Sequence, residues 1–431
     1  MQLTIYRGTK EIGGSCVEVA TASTRIILDA GLPLVKPDRE PFDPKVIQGK
    51  STEALIDEKI IPNVPGLFTE GKSPDAILLS HSHLDHAGLL HLTKPEIPIY
   101  ATSGTSKMML AGAVFSRQKE LERARHREVS AKKTFSIGDM TITPFAVDHS
   151  SFGSVAYLIE AEGKTLLYSG DIRKHGRKPG MARDLVAEIG PKNIDVLLME
   201  GTHFGSGRSS KGLNEFELEE EIVGHIKTAP GIVLACFSPI DVDRLVTYYR
   251  ASQRTGRTFV ADAYAAFVMH LVASEASIPR PTSDVGVRVY FNQAFENRQL
   301  TSVRERLEPD RIQLPQVLAE PTKYLMVFRP SMTELDFANV LPASSRCLYS
   351  YWKGYLEKPD WVELQESLNQ VGGDFIPAHA SGHIYVEDIV ELVRGINPKR
   401  IVPIHTFEPT GFQQHFANVQ LLDDGEPYRI E

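Results

Sequence analysis

Cysteine is scarce in this chain. Three residues, Cys16, Cys236 and Cys347, are spread over 431 positions and sit in apolar, strand-like runs. That rules out a disulfide framework and fits reduced core residues of a cytosolic protein. An excess of basic charge is also missing. The formal net charge is -8, so any hold on a polyanion has to come from local patches or bound metal rather than from a global field. No apolar run is long enough to span a bilayer. The start, Met1-Gln2-Leu3-Thr4-Ile5-Tyr6, alternates like a strand and lacks the pattern of a signal peptide. Repeats and low-complexity tracts are absent too. The expectation is a cytoplasmic protein without membrane contact. At 42% hydrophobic and 24% charged residues, it can bury a core without covalent staples, over roughly two to three domains by length.

What the chain does have is one dense loop, Ser80-His81-Ser82-His83-Leu84-Asp85-His86-Ala87-Gly88. It follows Ala76-Ile77-Leu78-Leu79, which reads as a buried strand, and precedes Gly88-Leu89-Leu90, which reads as the opening of a helix. Histidines at alternate positions of an extended segment face the same way, so His81 and His83 point toward one ion. Asp85 and His86 turn in at the helix start, toward a second. Imidazole nitrogen and carboxylate oxygen suit zinc or manganese.

Along the rest of the chain, apolar runs keep ending in polar residues. Ile26-Ile27-Leu28 ends at Asp29, and Ala146-Val147 at Asp148-His149. Thr165 to Tyr168 leads to Asp171, Val196 to Met199 to Glu200, and Ile401 to Ile404 to His405. Polar groups collected at strand ends above a buried sheet form a site on one rim of a sandwich. Leu32 to Lys72 reads as a surface excursion. Thr105 to about Arg127 reads as a helix, and the basic stretch Arg117 to Lys133 as its solvated face rather than a nucleic-acid contact. From about Ser206, strands and helices alternate, which suggests a separate parallel-sheet domain. Ligand-type residues return at His379-Ala380-Ser381-Gly382-His383. The expected layout is a first domain at 1-206, an insertion at 207-376 and a return at 377-431.

Seven ligand-type groups then make a two-ion set. One ion takes His81, His83 and His149. The other takes Asp85, His86 and His405, with Asp171 bridging, and each keeps an open position for water. Two dications lower the pKa of a shared water and neutralise charge at a phosphoryl transition state.

This pattern resembles the metallo-β-lactamase superfamily, on Asp29, the His81 to His86 motif, His149, Asp171 and His405. With the insertion, Glu200, His383 and His405 are similar to the extra motifs of the β-CASP nucleases. The resemblance implies an α/β protein, a metallo-β-lactamase αββα sandwich with an inserted parallel-sheet β-CASP domain. It implies a metal-dependent ribonuclease that cuts RNA phosphodiesters with a hydroxide activated by two divalent ions, zinc or alternatively manganese. His405 at the last position goes with RNA in that family. Two branches are similar. His379 to His383 looks like the H-x-S-G-H of RNase J enzymes, where the first His and the Ser seat a 5′-terminal phosphate for 5′-to-3′ exonuclease action. Glu200-Gly201-Thr202-His203-Phe204-Gly205 looks like the motif of the mRNA cleavage and polyadenylation endonucleases, apart from Gly201. The partners expected besides RNA are a second copy of the chain or a member of a processing complex.

The implied roles follow. Asp85, Glu200 and His383 are catalytic, with His383 paired to Glu200 and protonating the leaving 3′ oxygen. Asp29 orients a ligand histidine. His379, Ser381 and Ser238 bind substrate, Ser238 being read either as a phosphate contact or as a helix N-cap. Arg173, Lys174, Arg177 and Lys178 are read either as RNA-backbone contacts or as a solvated loop. The competing functions are a DNA nuclease of the same family, a thioester or lactone hydrolase, and a non-catalytic scaffold subunit.

Overall fold

Alternation along the strands decides the layering. In a strand, successive side chains face opposite sides. Ile26 and Leu28 enter one apolar cluster with Leu3, Val17, Tyr157, Leu166 and Tyr168. Ile27, between them, enters another with Leu55, Ile77, Leu89 and Met109. Both faces of these strands are therefore buried, which is why they read as continuous apolar runs. Each fully buried Leu or Ile contributes roughly 1.5–3 kcal/mol.

The computed structural model describes residues 1–36, 39–205, 211–281 and 286–431. The expected boundary at 206 and 207 lies outside the described residues. Two compact units emerge: 1–174 with 178–211 and 382–431, and 175–177 with 212–381.

In the first unit, seven strands form one sheet, in the order Pro427–Arg429, Gln2–Arg7, Cys16–Ala20, Arg25–Leu28, Ala76–Leu78, Ile99–Thr102 and His126–Val129. Six form a second, in the order Arg400–Ile404, Val196–Glu200, Lys164–Tyr168, Val155–Ala161, Met140–Ala146 and Phe135–Ile137. The sheets share the core around Leu3, Leu28, Tyr157 and Leu198. The outer face of the second sheet packs on the helices Gly180–Ile189 and Val386–Ile396, through Leu185, Ile189, Ile389 and Val393. The outer face of the first is covered by Thr52–Asp57 and Ser103–Ser116, among others. This is the expected αββα sandwich.

The second unit holds six parallel strands, in the order Val287–Tyr290, Thr258–Asp262, Tyr324–Val327, Val233–Cys236, Arg346–Tyr349 and Asp374–Pro377. This is the expected inserted parallel sheet. Cys236 and Cys347 are free and buried on adjacent strands, and Cys16 is free and buried in the first unit.

Two local expectations are corrected. The helix expected from Thr105 to about Arg127 is Ser103–Ser116. It stops at Arg117, which takes a left-handed conformation with φ of 55°. His126–Val129 then runs as a strand parallel to Ile99–Thr102. Arg125 is buried, donating to the carbonyls of Ile97 and Leu90 and to Thr93 Oγ1. The basic stretch is therefore not one solvated helix face. The helix after the histidine loop also begins earlier than expected, as the short Leu84–Ala87, and ends at Gly88.

Candidate metal centre and active site

Sheet direction gathers the ligand-type residues. Lys164–Tyr168, Val196–Glu200 and Arg400–Ile404 run parallel. Met140–Ala146 is two antiparallel steps away from Lys164–Tyr168, so it runs the same way. The carboxyl ends of these strands share one rim, which receives His149, Asp171, Glu200 and His405. In the first sheet, Arg25–Leu28 and Ala76–Leu78 are parallel and deliver Asp29 and the His81 loop. The turn is tight: a Cβ on Gly31 would stand 1.7 Å from the carbonyl oxygen of Asp85. Asp29 and His405 both adopt left-handed backbone, with φ of 59° and 55°. Such conformations in non-glycine residues concentrate where surrounding contacts hold a functional side chain in place.

All seven expected side chains come together. His81, His83 and His149 form one group, and Asp85, His86, Asp171 and His405 a second, with the donor atoms of each group within 4.8 Å of one another. His83 Nδ1 lies 3.1 Å from His81 Nε2 and 3.1 Å from His149 Nε2. Nitrogens bound at 2.0–2.1 Å in a tetrahedron stand about 3.3 Å apart, so this spacing is that of ligands around one ion. In the second group, His405 Nε2 is 3.2 Å from Asp85 Oδ2, and His86 Nε2 is 3.2 Å from Asp171 Oδ2. Asp171 Oδ2 is also 3.7 Å from both His81 and His149, which places it between the groups.

The donor set passes a direct test for cation binding. Both oxygens of Asp171 and Nε2 of His86 are buried, and apart from their own 3.2 Å approach they have no hydrogen-bond partner among the described residues. Buried polar atoms are almost always satisfied, and a carboxylate left bare in the interior is costly. A divalent ion held there would supply the missing partner. Electrostatics point the same way. Burial and neighbouring imidazoles hold His81 and His149 well below the usual histidine range. Burial pushes His83 down to about 4. These rings are neutral, the form that ligates metal. Burial alone would raise Asp85, but the hydrogen bond from His405 and the charge of His86 bring it to about 2. Burial would also raise Asp171, yet His405, His86 and His383 keep it well below the carboxylate range. His86 moves the other way: burial would lower it, but Asp171 and Asp29 raise it well above its ordinary value.

Asp29 stands behind His86. It accepts from His86 Nδ1 at 2.8 Å, from the Ser80 backbone and hydroxyl at 2.7 Å each, and from the Tyr168 hydroxyl at 2.7 Å. With Nδ1–H donated to Asp29, the ring is turned so that Nε2 of His86 faces Asp171, where a cation would take the place of its second proton. Outer carboxylates of this kind govern metal affinity. Asp29→Asn is expected to weaken divalent-metal affinity by about tenfold to a hundredfold, read by competition against a chromogenic chelator. Unchanged affinity would remove Asp29 from the site.

Glu200 and His383 also meet. His383 Nδ1 is 3.3 Å from Glu200 Oε1 and 3.6 Å from Asp171 Oδ2. Burial would lower His383, but Glu200 and Asp171 raise it to about 9. The Thr202 hydroxyl links His405 Nδ1 at 2.9 Å with His383 Nδ1 at 3.2 Å. Ser80, Tyr168 and Thr202 are contacts that ligand spacing did not single out.

Ser238, His379 and Ser381 belong to the second unit. Ser238 follows the strand Val233–Cys236, and Asp241 rather than Ser238 caps the helix Val242–Arg254. His379 Nδ1 accepts from Arg244 Nη1 at 3.4 Å, and the Ser381 carbonyl accepts from His175 Nε2 at 2.8 Å. The basic run after Asp171 is largely ion-paired. Arg173 is buried against Asp148, Lys174 pairs with Glu391, and Arg177 with Glu219. Lys178 lies over the Phe152 ring. Three of the four cations are thus held by acidic partners, while Lys178 is exposed.

Comparison with known proteins agrees with this architecture. The chain is 23% identical to Ribonuclease J of Mycolicibacterium smegmatis, over 94% of this chain and 68% of that protein. It is 21% identical to Ribonuclease J of Helicobacter pylori, over 100% of this chain and 61% of the relative. An RNase J-like protein of Methanocaldococcus jannaschii is 28% identical over 55% of this chain and 51% of its own length. The chain thus spans about half to two thirds of these relatives. A solved structure of a protein of unknown function from Enterococcus faecalis has the same fold, with a TM-score of 0.80, 22% identity and 99% of each chain covered. No helix among the described residues is long and apolar enough to cross a membrane. The model of the beta-lactamase superfamily domain matches residues 24–247, more than half the chain, and this chain belongs to the beta-lactamase superfamily.

Proposed function

We propose that the chain is a metal-dependent ribonuclease that hydrolyses RNA phosphodiesters. One observation carries the reading: six buried or half-buried ligand-type side chains converge around Asp171, whose two oxygens are buried and, His86 aside, have no hydrogen-bond partner among the described residues. The Ribonuclease J relatives supply the substrate class. The donor set divides into two groups, so two divalent ions are proposed, zinc or manganese by the ligand types.

Divalent ions held there supply Lewis-acid charge toward a phosphodiester and a nucleophilic water at neutral pH. His81, His83 and His149 present neutral nitrogens, and Asp85, Asp171, His86 and His405 hold the second position. Asp29 fixes the ring of His86. His383, protonated and held by Glu200, gives its proton to the leaving 3′ oxygen as general acid. Ser238, His379 and Ser381 are proposed to seat a substrate phosphate, which favours attack from a 5′ end. The RNA is expected to be met in the cytoplasm.

The test compares 5′-monophosphorylated, 5′-triphosphorylated and circular RNA with added zinc or manganese. Mononucleotides from the monophosphate substrate alone mark a 5′-to-3′ exonuclease, and cut circles an endonuclease. Hydrolysis of thioesters or lactones with no RNA cut would overturn the reading.

A further inference from the structure

The second unit carries a group of side chains that the metal centre does not use, at the carboxyl ends of its parallel strands. Such ends are where open α/β sheets bind ligands. Thr258–Asp262 ends at Asp262, Tyr324–Val327 leads to Arg329, and Arg346–Tyr349 leads to Tyr351 and Trp352. Arg329 Nε donates to Asp262 Oδ2 at 2.7 Å, and Nη1 to the Tyr351 hydroxyl at 3.4 Å. The guanidinium lies over the Tyr264 ring, 5.4 Å from its centroid. Its Nη2 is buried and has no hydrogen-bond partner among the described residues. Asp262 and Tyr351 thus orient a guanidinium that keeps donor capacity in reserve.

Next to Tyr351, Trp352 is 55% exposed, whereas Trp361, the chain's other tryptophan, is 7% exposed. The indole is fixed rather than dangling. It meets the Tyr355 ring edge-on, with centroids 5.5 Å apart at 89°. The Lys358 ammonium sits 4.1 Å from the centroid of Tyr355. Gly354 packs so close that a Cβ there would stand 2.2 Å from the indole. A side chain there would push the indole out of this position. The result is a flat, held, exposed aromatic surface, next in sequence to Tyr351, which bonds an arginine whose side chain is 23% exposed.

Aromatic platforms beside cationic donors suit single-stranded nucleic acid, since every base has a face to stack and every linkage a phosphate. We propose that this rim is a single-stranded RNA site, with Trp352 stacking a base and Arg329 donating to a neighbouring phosphate. The choice of RNA rests on the ribonuclease reading above. Lys353 and Lys358 are matched by Glu357 and Asp360 in the same segment, so stacking dominates and the dependence on salt is shallow. One phosphate contact gives a slope of about -0.7 in log K against log salt for a single strand.

The experiment titrates the full chain, in excess EDTA to prevent cleavage, with a short labelled oligouridylate. Binding is read by anisotropy and by tryptophan fluorescence. Saturable quenching is expected, with Trp352→Ala weakening binding about tenfold. Trp352→Phe should restore most of it, and Gly354→Ala, which adds one methyl group and removes no ring, should weaken it. Arg329→Gln should flatten the salt slope by about 0.7. Fluorescence of the buried Trp361 reports that each variant is folded. Unchanged affinity in folded Trp352→Ala would overturn the proposal, as would quenching by phosphatidylcholine vesicles and not by RNA. A wild-type chain that cuts RNA while Trp352→Ala binds normally sinks this inference alone. Binding through Trp352 without any cleavage sinks the ribonuclease reading and leaves the site standing.

Discussion

Asp171→Ala is expected to lower RNA hydrolysis by about a thousandfold or more, the several kcal/mol of charge stabilisation that bound cations supply to a transition state. Its carboxylate lies within 3.2–3.8 Å of His86, His383, His81, His149 and His405. The loss should appear in two readouts at once. Metal content per chain falls, and the rate falls with saturating metal present. Asp171→Asn tests whether charge or shape matters: it keeps the volume and one acceptor oxygen and should lose nearly as much. A purely structural Asp171 would give another pattern, a lower melting temperature with metal content and rate per folded molecule preserved.

His383→Gln is the second large effect, about a hundredfold to ten-thousandfold in rate, the range for a positioned general acid. The imidazole is held by Glu200 at 3.3 Å and by the Thr202 hydroxyl at 3.2 Å, so its place does not depend on substrate. Metal content should stay close to wild type, since Asp85, His86, Asp171 and His405 remain grouped without it. The decisive substrate replaces the bridging 3′ oxygen by sulfur. A thiolate leaves without a proton, so the His383→Gln defect should nearly vanish on that linkage. An equal defect on oxygen and sulfur substrates would assign His383 to positioning rather than proton transfer.

The sequence exposes the rim because the candidate ligands follow buried strands. Hydrophobic runs such as Leu166-Leu167-Tyr168 and Val196 to Met199 stop at polar residues that have no reason to lie in a core. The αββα layers follow from the same runs, whose alternate residues serve two clusters. Other features were hidden. Thr202, Tyr168 and Ser80 are single hydroxyls with no spacing to betray them, and only the fold shows what they bond. Arg117 ends its helix by a left-handed turn with no glycine or proline to announce it. Arg125 then reads as one more surface cation, though it is buried against three acceptors. The basic run after Asp171 is spent on acidic partners far away in sequence, Asp148, Glu391 and Glu219. In the inserted unit, Asp374–Pro377 is an edge strand ending in proline. Proline is tolerated at an edge and otherwise argues against a strand.

The account depends on cations held by these side chains. Its most direct test strips the full chain with chelator and returns zinc or manganese in steps. Bound ions per chain and cleavage of a 5′-monophosphorylated RNA are measured at each step. The prediction is no cleavage in the stripped protein, and cleavage that returns as binding approaches two ions per chain. Cleavage that persists in the stripped protein, or saturation below one ion per chain, would contradict it.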